Sequence, residues 1–482
     1  METDHPLSET DRPRSWMGWL KGIGWGLLIV AFLAVLGLLW NREKKASKLQ
    51  ATLAELDRSE PGWRLDDIEA ARKEVPEEDN SARVIVDAAR FLPQQWPTKD
   101  FPEEHFRLLP PSEMLSDEDF ARLSRELARV RPALKMAAPL ADMPHGRHRL
   151  HYERNPIQTL LPDQQESRRI FSLLVFEAMR QNQTGESRKA LTTCRAALNA
   201  ARSLGDEPIY ISQLIRIAGV FLACQAIERT LAQGEPASED MRALQKLLED
   251  EDAFLGLLLA TRGERAMMDG VFAAVERGEV SLDELNRLSG SGTLPGWLES
   301  TALSLWRMDI RQDHALFLAL MTRRVKEVQQ PMHEQAALEK RFEQQVRELP
   351  KSAVISHLLL PAVSKMGEAS RRKHAYLRCT MAALAAERYR QDKKAWPDTL
   401  DQLCPKYLTA VPLDPFDGLP LRYRRLEDGV MIYSIGQDAV DNGGHLDRER
   451  PTSPGVDLGV RLWGPAQRRQ PPRPKPPAPK PG

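Results

Sequence analysis

The longest stretch without a charged side chain is the apolar run from Gly22 to Trp40, GIGWGLLIVAFLAVLGLLW. As a helix it would be about 28 Å long, close to the thickness of the hydrocarbon core of a bilayer. A helix also satisfies its own backbone hydrogen bonds, which any lipid-exposed segment must do. We therefore expect a transmembrane anchor over residues 16–40, preceded by a short polar tail over residues 1–15. A cleaved signal peptide is the alternative, but its apolar core has only about 7–15 residues and ends in small side chains.

The direction of this anchor in the membrane follows less directly from the sequence. Cytoplasmic flanks carry an excess of Lys and Arg, yet both flanks here are basic: Arg12, Arg14 and Lys21 precede the run, and Arg42, Lys44, Lys45 and Lys48 follow it. A short tail before a first anchor, with a long domain after it, more often leaves the tail inside. We therefore expect a single-pass protein of the cell membrane whose bulk lies outside the cytoplasm.

Three glycines give the anchor a candidate dimer face. Gly18, Gly22 and Gly26 recur every four residues and share one side of a helix. Small residues at this spacing let two membrane helices approach closely. The pattern favours a dimer through this face, and the alternative is that glycine is simply frequent in membrane helices.

Beyond the anchor, apolar positions recur at the three- and four-residue spacing of helices. Residues 41–62 predict a charged juxtamembrane helix and linker, and residues 63–360 predict a helical domain. Its clearest periodic segments are 165–182, 186–203 and 209–233. Because no tetratricopeptide signature repeats in this region, we expect antiparallel hairpins in an irregular bundle or a short solenoid.

Helix starts in this region carry a recognisable capping pattern. Ser116 with Asp119, and Ser281 with Glu284, place a hydroxyl before a helix and an acid in its first turn. The glycine-rich segment 290–296 marks a break. These signals support a succession of separate helices.

The pattern changes near residue 361, and we expect a small α+β domain over residues 361–464. A long helix over 361–392 leads to strands at 421–425 and 430–435, with a possible third strand at 456–463. Asp428-Gly429 is a hairpin turn signal between the first two strands. The end of the chain, 465–482, is rich in proline and basic residues and predicts a disordered tail.

Composition narrows the class of protein. The chain has 482 residues with 68 Lys plus Arg and 68 Asp plus Glu, so its net charge is near zero. A dedicated nucleic-acid-binding protein would carry a basic excess, and we expect no nucleic-acid partner. The four cysteines form no C-x-x-C pair, which argues against a zinc site. A disulfide between Cys379 and Cys404 stays open as an alternative to free thiols.

The stretch from Ala385 to Gly444 resembles the globular domain of the major pseudopilins of bacterial type II secretion. Three blocks carry the resemblance: AAERYRQDKKAWPDTLDQL, KYLTAVPLDPFDGLPLRY and YSIGQDAVDNGG. In that family a helix ending near an aromatic-proline pair, here Trp396-Pro397, packs on a small antiparallel sheet. The residues themselves favour the same arrangement, with Asp398 as the cap of a short helix and Tyr423 beside Tyr433 across the hairpin.

The chain departs from that family at its N-terminal end. It lacks the Gly-Phe-Thr-Leu-Ile-Glu type cleavage site, and a long helical region separates its anchor from the pseudopilin-like end. A reused domain therefore fits better than a filament subunit. The whole layout also resembles single-pass bacterial membrane proteins to which no activity is assigned.

The family resemblance implies one candidate ligand. Major pseudopilins often bind calcium in the loop after the last strands, and the corresponding loop here carries Asp438 and Asp441. Clustered oxygen ligands suit Ca²⁺, whereas Asp and Asn are also ordinary turn residues. We expect no other cofactor.

No sequence motif identifies a reaction. H-E-x-x-H, G-x-S-x-G and phosphate-binding glycine loops are absent from the sequence. The series His145, His148 and His151 is the most metal-like cluster, but Gly146 opposes a helix there and a basic surface loop is the simpler interpretation.

These observations predict a mainly α protein with an N-terminal transmembrane helix, an irregular helical bundle and a small pseudopilin-like sheet domain. Its expected function is that of a membrane-anchored scaffold or protein-interaction protein of the bacterial envelope, with a role in secretion as one option. The alternative is a membrane-anchored hydrolase whose site lies in the helical domain.

Overall fold

The computed structural model of the protein describes residues 16–280, 284 and 310–473. It is mainly helical, with 62% helix and 6% strand, and carries a three-stranded antiparallel sheet near its C-terminal end. This confirms the mainly α class and the small sheet. Ser281 and the break predicted at 290–296 lie outside the described residues.

The described α-helices follow one another along the chain with short connections. Their bounds are α1 Trp16–Ser59, α2 Leu65–Ala70, α3 Ser81–Ala89, α4 Glu103–Leu108, α5 Asp117–Ala128, α6 Arg131–Ala137, α7 Pro162–Gln183, α8 Ser187–Arg202, α9 Tyr210–Gln233, α10 Ser238–Asp252, α11 Gly256–Glu276, α12 Arg311–Glu327, α13 Met332–Arg347 and α14 Val354–Lys393. The strands are β1 Arg422–Leu426, β2 Gly429–Ser434 and β3 Leu458–Trp463.

Helix α1 runs without a break through both the predicted anchor and the predicted juxtamembrane helix. Its second half packs against the body, where Leu49 and Leu56 join an apolar cluster with Trp63, Ala315 and Leu318. Glu60 continues this contact through ion pairs to α11, at 2.7 Å to Arg262 and 2.8 Å to Arg265. The side-chain surroundings of Gly18, Gly22 and Gly26 lie outside the described residues, so the dimer face stays a prediction.

Helix α9 has the length and the apolar composition of a membrane span. Two thirds of its most apolar 18-residue segment is buried inside the fold. This burial is what the central helix of a protein core shows, and α9 packs against α7, α8 and α14.

Helices α7, α8 and α9 form the centre of the core and confirm the segments predicted at 165–182, 186–203 and 209–233. They pack closely because α9 carries Gly219 at the crossing. A Cβ at Gly219 would lie 2.5 Å from the Cβ of Ala201 and 2.9 Å from the ring of Phe171. The glycine therefore sets the distance between the helices.

Helix α14 is longer than predicted because it begins at Val354 rather than at residue 361. Asp313 accepts hydrogen bonds from the amides of Ile355 (2.9 Å) and Ser356 (3.3 Å) and so caps the new start. Pro361 lies inside the helix, although proline more often marks a first turn. One apolar cluster extends from Ile85 to Leu462, so the helical region and the sheet share a core across the boundary predicted at 360.

The sheet has the order β1-β2-β3 with antiparallel neighbours, and the hairpin between β1 and β2 has a different register from the expected one. Leu426 pairs with Gly429, so the two-residue loop is Glu427-Asp428 and not Asp428-Gly429. Tyr423 faces Ile432, and Tyr433 faces Arg422. The predicted Tyr423–Tyr433 pair is therefore wrong, because Tyr423 shares a face of the sheet with Ile432, and Tyr433, the next residue of β2, points to the opposite face.

One predicted helix cap is present and one is not. Ser116 caps α5 by accepting from the amide of Asp119 at 3.1 Å, and its hydroxyl donates back to the Asp119 carboxylate. Asp398 does not cap the short helix Leu400–Leu403, which has no side-chain cap. Its carboxylate pairs instead with Arg425 on β1.

The segment 465–473, predicted to be part of a disordered tail, is folded onto the body. Arg468 is buried beside Glu387, with the two side chains 2.8 Å apart. Gln470 donates from its amide to Ser112 at 2.7 Å and accepts from the amide of Met114 at 2.8 Å. Buried partners for the basic side chains explain the difference. Residues 474–482 lie outside the described part.

All four cysteines are free thiols. Cys379 is buried on α14 and directs its sulfur to the carbonyl of Leu458 at 3.7 Å. Cys404 is partly exposed at the end of the short helix Leu400–Leu403. The disulfide considered between Cys379 and Cys404 is therefore not formed.

Candidate functional site

The connection between α6 and α7 brings His148 into the protein instead of leaving it in a surface loop. The connection is fixed to α3, since the amide of Ser81 donates to the carbonyl of His145 at 2.9 Å. Gly146 permits this approach, because a Cβ there would lie 2.5 Å from Ser81 Oγ and 2.6 Å from Ser203. His148 is then buried against the first turns of α7.

His148 lies between an acid and a hydroxyl that are four residues apart on α7. Its Nδ1 is 3.3 Å from Asp163 Oδ2, and its Nε2 is 3.4 Å from Ser167 Oγ. The hydrogen bond from His148 lowers the pKa of Asp163. The order carboxylate, imidazole, hydroxyl is that of the serine hydrolases.

The exposure of the three groups is the reverse of what hydrolysis requires. Ser167 has no exposed surface, whereas a third of the Asp163 side chain is exposed. Asp163 and His148 line an open groove of about 720 Å³. A serine nucleophile must meet its substrate while its acid stays buried, so this arrangement presents no nucleophile to the groove. It fixes the His145–His151 connection on α7 instead.

A second set of buried hydrogen bonds involves Glu207, which binds Gln164, the residue that follows Asp163 on α7. Glu207 has no exposed surface and accepts from Gln164 Nε2 at 2.7 Å. Burial raises the pKa of Glu207. Gln213 donates to the carbonyl of Glu207 at 2.9 Å. These bonds join the connection between α8 and α9 to α7.

A buried cluster of charged side chains lies where α10 ends. Glu251 is buried and lies 2.6 Å from Arg216, 3.5 Å from Lys373 and 3.8 Å from Arg202. Burial alone would raise the pKa of Glu251, but these cations outweigh it and lower the pKa to about 2. The neighbouring Asp252 binds α14 through His374. We call this group the Glu251 cluster; it connects α8, α9, α10 and α14.

The candidate calcium ligands lie in the loop between β2 and β3, where their oxygens already accept hydrogen bonds. Asp438 accepts from the amides of Gly455 (2.7 Å) and Val440 (3.1 Å). These backbone bonds lower the pKa of Asp438. Asp441 accepts from the amide of Gly443 at 2.9 Å and from the hydroxyl of Tyr433 at 3.1 Å. Both carboxylates thus shape the loop.

Within the described part of the chain, no group of three or more His, Cys, Asp or Glu side chains is arranged to hold a metal ion. The calcium site at Asp438 and Asp441 therefore stays a prediction. The series His145, His148 and His151 is not brought together either, because His148 turns inward while His145 and His151 are exposed.

Only part of the His148 contact can be seen in the sequence. The sequence singles out His148 as one member of a histidine series, but it does not identify Asp163 and Ser167 as its partners. Asp163 and Ser167 lie one helical turn apart and share a face of α7, which is the pattern that a search for a partner could have used. Asp163 follows Pro162 at the helix start, where an acid is favoured by the helix dipole alone.

Comparison with known proteins does not assign the chain to a family. No protein-family model, no curated protein and no solved structure matches the chain. The resemblance to major pseudopilins therefore remains a hypothesis that rests on the three sequence blocks between Ala385 and Gly444.

Proposed function

We propose that the protein is a single-pass, membrane-anchored scaffold that holds a helical body at a membrane and binds protein partners there. The observation that carries this proposal is the exposed apolar surface of α1. Trp25, Val30, Leu33 and Trp40 are each more than half exposed. Since the apolar positions 28–33 are consecutive, they point to all sides of the helix and not to one face.

Such a helix is stable in an apolar surrounding rather than in water. A soluble surface helix confines its apolar side chains to one stripe, whereas a helix that is apolar all round is buried in protein or lipid. Large exposed apolar surfaces mark membrane or protein contacts. A bilayer fits best because the run has the length of a span.

The second half of α1 supports the scaffold part of the proposal. Leu56 is buried against the body, and Arg265 on α11 holds Glu60 at 2.8 Å. The membrane segment is thereby joined to the body by one continuous helix. We further propose that the body lies outside the cytoplasm. A secretion-related role is proposed on the pseudopilin resemblance alone.

A flotation assay tests the anchor with the full-length protein. Wild type and the double variant Val30→Asp/Leu33→Asp are reconstituted with phosphatidylcholine vesicles and centrifuged through a density gradient. The matched control, Leu160→Asp/Leu255→Asp, changes two exposed apolar residues outside α1. We expect wild type and control to float and the α1 variant to stay at the bottom, because a charge at the bilayer centre costs about 3 kcal/mol or more. Equal flotation of all three proteins would overturn the anchor.

Topology is tested separately in cells. Spheroplasts are treated with protease, and an antibody against residues 474–482 reports the fate of the C-terminal end. Loss of the signal supports a body outside the cytoplasm. Protection until the membrane is permeabilised would place the body inside and would end the secretion hypothesis.

A further inference from the structure

An open groove of about 600 Å³ lies between helices α5 and α6 on one side and α7 and α8 on the other. Its floor is apolar and built from small or buried side chains: Leu127, Ala138, Ala141, Leu174 and Ala196. The volume lies within the range of about 300–1,000 Å³ that ligand sites occupy.

The rim of this groove is basic. Arg131 and Lys135 are exposed on α6, and Arg180 lies on α7 across the groove. Arg180 is paired at 2.7 Å with Glu177, the acid among the lining residues. For Arg131 and Lys135, the described residues supply no acidic group within ion-pair distance.

We propose that this groove binds an acidic peptide segment of a partner protein, with an apolar side chain of that segment on the floor and its carboxylates at Arg131 and Lys135. The inference rests on the proposed scaffold function and names the chemistry of the partner. Two cations beside an apolar floor complement a segment that alternates acidic and apolar residues. Complementary charge of this kind mainly sets partner choice and association rate.

Two features of the groove favour a peptide over a polyanion. A nucleic acid is bound by many cations along a backbone, whereas this rim offers two cations that have no acidic partner among the described residues. The floor between them is apolar, and apolar surface gives binding energy only when an apolar group covers it. A short acidic and apolar segment satisfies both parts of the site.

The test uses full-length protein in mild detergent solution and a fluorescein-labelled peptide, Glu-Leu-Glu-Ala-Leu-Glu, and binding is followed by fluorescence anisotropy. A second peptide with Gln in place of each Glu measures the contribution of charge. The variant Arg131→Glu/Lys135→Glu reverses the rim, and its matched control Lys351→Glu/Lys365→Glu makes the same change in net charge at exposed lysines elsewhere. Thr192→Trp fills the groove from an exposed position on α8 without any change in charge.

We expect the rim variant to weaken binding by about tenfold or more, which corresponds to about 1.4 kcal/mol. Thr192→Trp should weaken binding as well, and the control pair should stay within about twofold of wild type. The Gln peptide should bind more weakly than the Glu peptide. Absence of binding at 1 mM peptide (~4 kcal/mol), or equal loss in the rim variant and its control, would overturn the groove as a peptide site.

This outcome is separable from that of the proposed function. The flotation assay reports the anchor without the peptide, and the anisotropy assay in detergent solution reports the groove whether or not the protein enters a bilayer. A protein that floats but does not bind the peptide loses only the groove assignment. A protein that binds the peptide but does not float in vesicles loses only the anchor.

Discussion

Arg468 and Glu387 form a buried ion pair in which the guanidinium lies 2.8 Å from the carboxylate. The pair joins the C-terminal segment to helix α14, and Arg468 also donates to the carbonyl of Gly234 at the end of α9. The C-terminal segment, which the sequence predicts to be part of a disordered tail, therefore connects α14 with the end of α9.

Replacing Arg468 by Ala should lower the free energy of unfolding by about 3 kcal/mol. This is the lower limit for breaking a buried ion pair, because Arg390 remains 2.7 Å from Glu387. Urea titration followed by circular dichroism measures the change. Arg188→Ala is the control, since that side chain and its partner Glu239 are both largely exposed and its loss should cost less than about 1 kcal/mol. Equal effects of the two substitutions would contradict the role of the buried pair.

The Glu251 cluster should make stability depend on pH in acid. The pKa of Glu251 in the folded protein is about 2, below its ordinary value of 4.5. The unfolded state therefore binds the proton first, and the stabilisation is present above about pH 4.5 and is lost as the pH falls towards 2. Glu251→Gln removes this titration, so the difference in stability between wild type and variant should shrink over that interval.

Urea titrations at several pH values between 2 and 6 measure this difference. Asp250→Asn is the matched control, because Asp250 is a partly exposed neighbour on the same helix that pairs with Lys246. It should change stability by less than about 1 kcal/mol at every pH. A constant difference between wild type and Glu251→Gln across the whole range would show that Glu251 is not the titrating group.

Gly429→Ala should destabilise the sheet, because there is no room for a Cβ at the first residue of β2. That atom would lie 1.9 Å from the carbonyl oxygen of Leu462 on β3, and forcing an extra carbon into a packed site costs about 1–3 kcal/mol. Gly464→Ala is the control, since its nearest atom would be 3.5 Å away. Thermal unfolding should show a lower midpoint only for Gly429→Ala, and an equal shift in both variants would refute the close contact.

Ser167 should not react with a fluorophosphonate probe in the native protein, because its hydroxyl is buried behind His148. Peptide mass spectrometry after labelling checks this directly. His148→Ala should instead lower stability by about 1–3 kcal/mol, the cost of leaving buried polar groups without a partner. Labelling of Ser167 that disappears in His148→Ala would revive the hydrolase hypothesis.

The sequence predicted the central helices well because their apolar spacing is regular over many turns. The predicted segment 165–182 corresponds to α7, Pro162–Gln183, and the predicted segment 186–203 corresponds to α8, Ser187–Arg202. These helices are stabilised by the apolar face that they bury. The sequence reveals this face because its apolar residues recur every three and four positions.

What the sequence did not predict depends on contacts between distant segments. The start of α14 is set by Asp313, which lies about forty residues before the helix, and the partners of His148 come from another element. The hairpin register differs from the expected one because Gly429 is the first residue of β2, where it approaches Leu462 closely, and is not a turn residue. Local sequence patterns carry no information about such neighbours.

The unbroken course of α1 has a mechanical consequence if its apolar half spans a bilayer. Residues 41–48 separate Trp40 from the first buried leucine, Leu49, and as a helix they rise about 12 Å. No glycine or proline interrupts α1 after Gly37, so this stretch is a rigid helical connection and not a flexible linker. A change in the tilt of the anchor would turn the whole body by the same angle, and the height of the body above the lipid headgroups would be fixed by helix length alone.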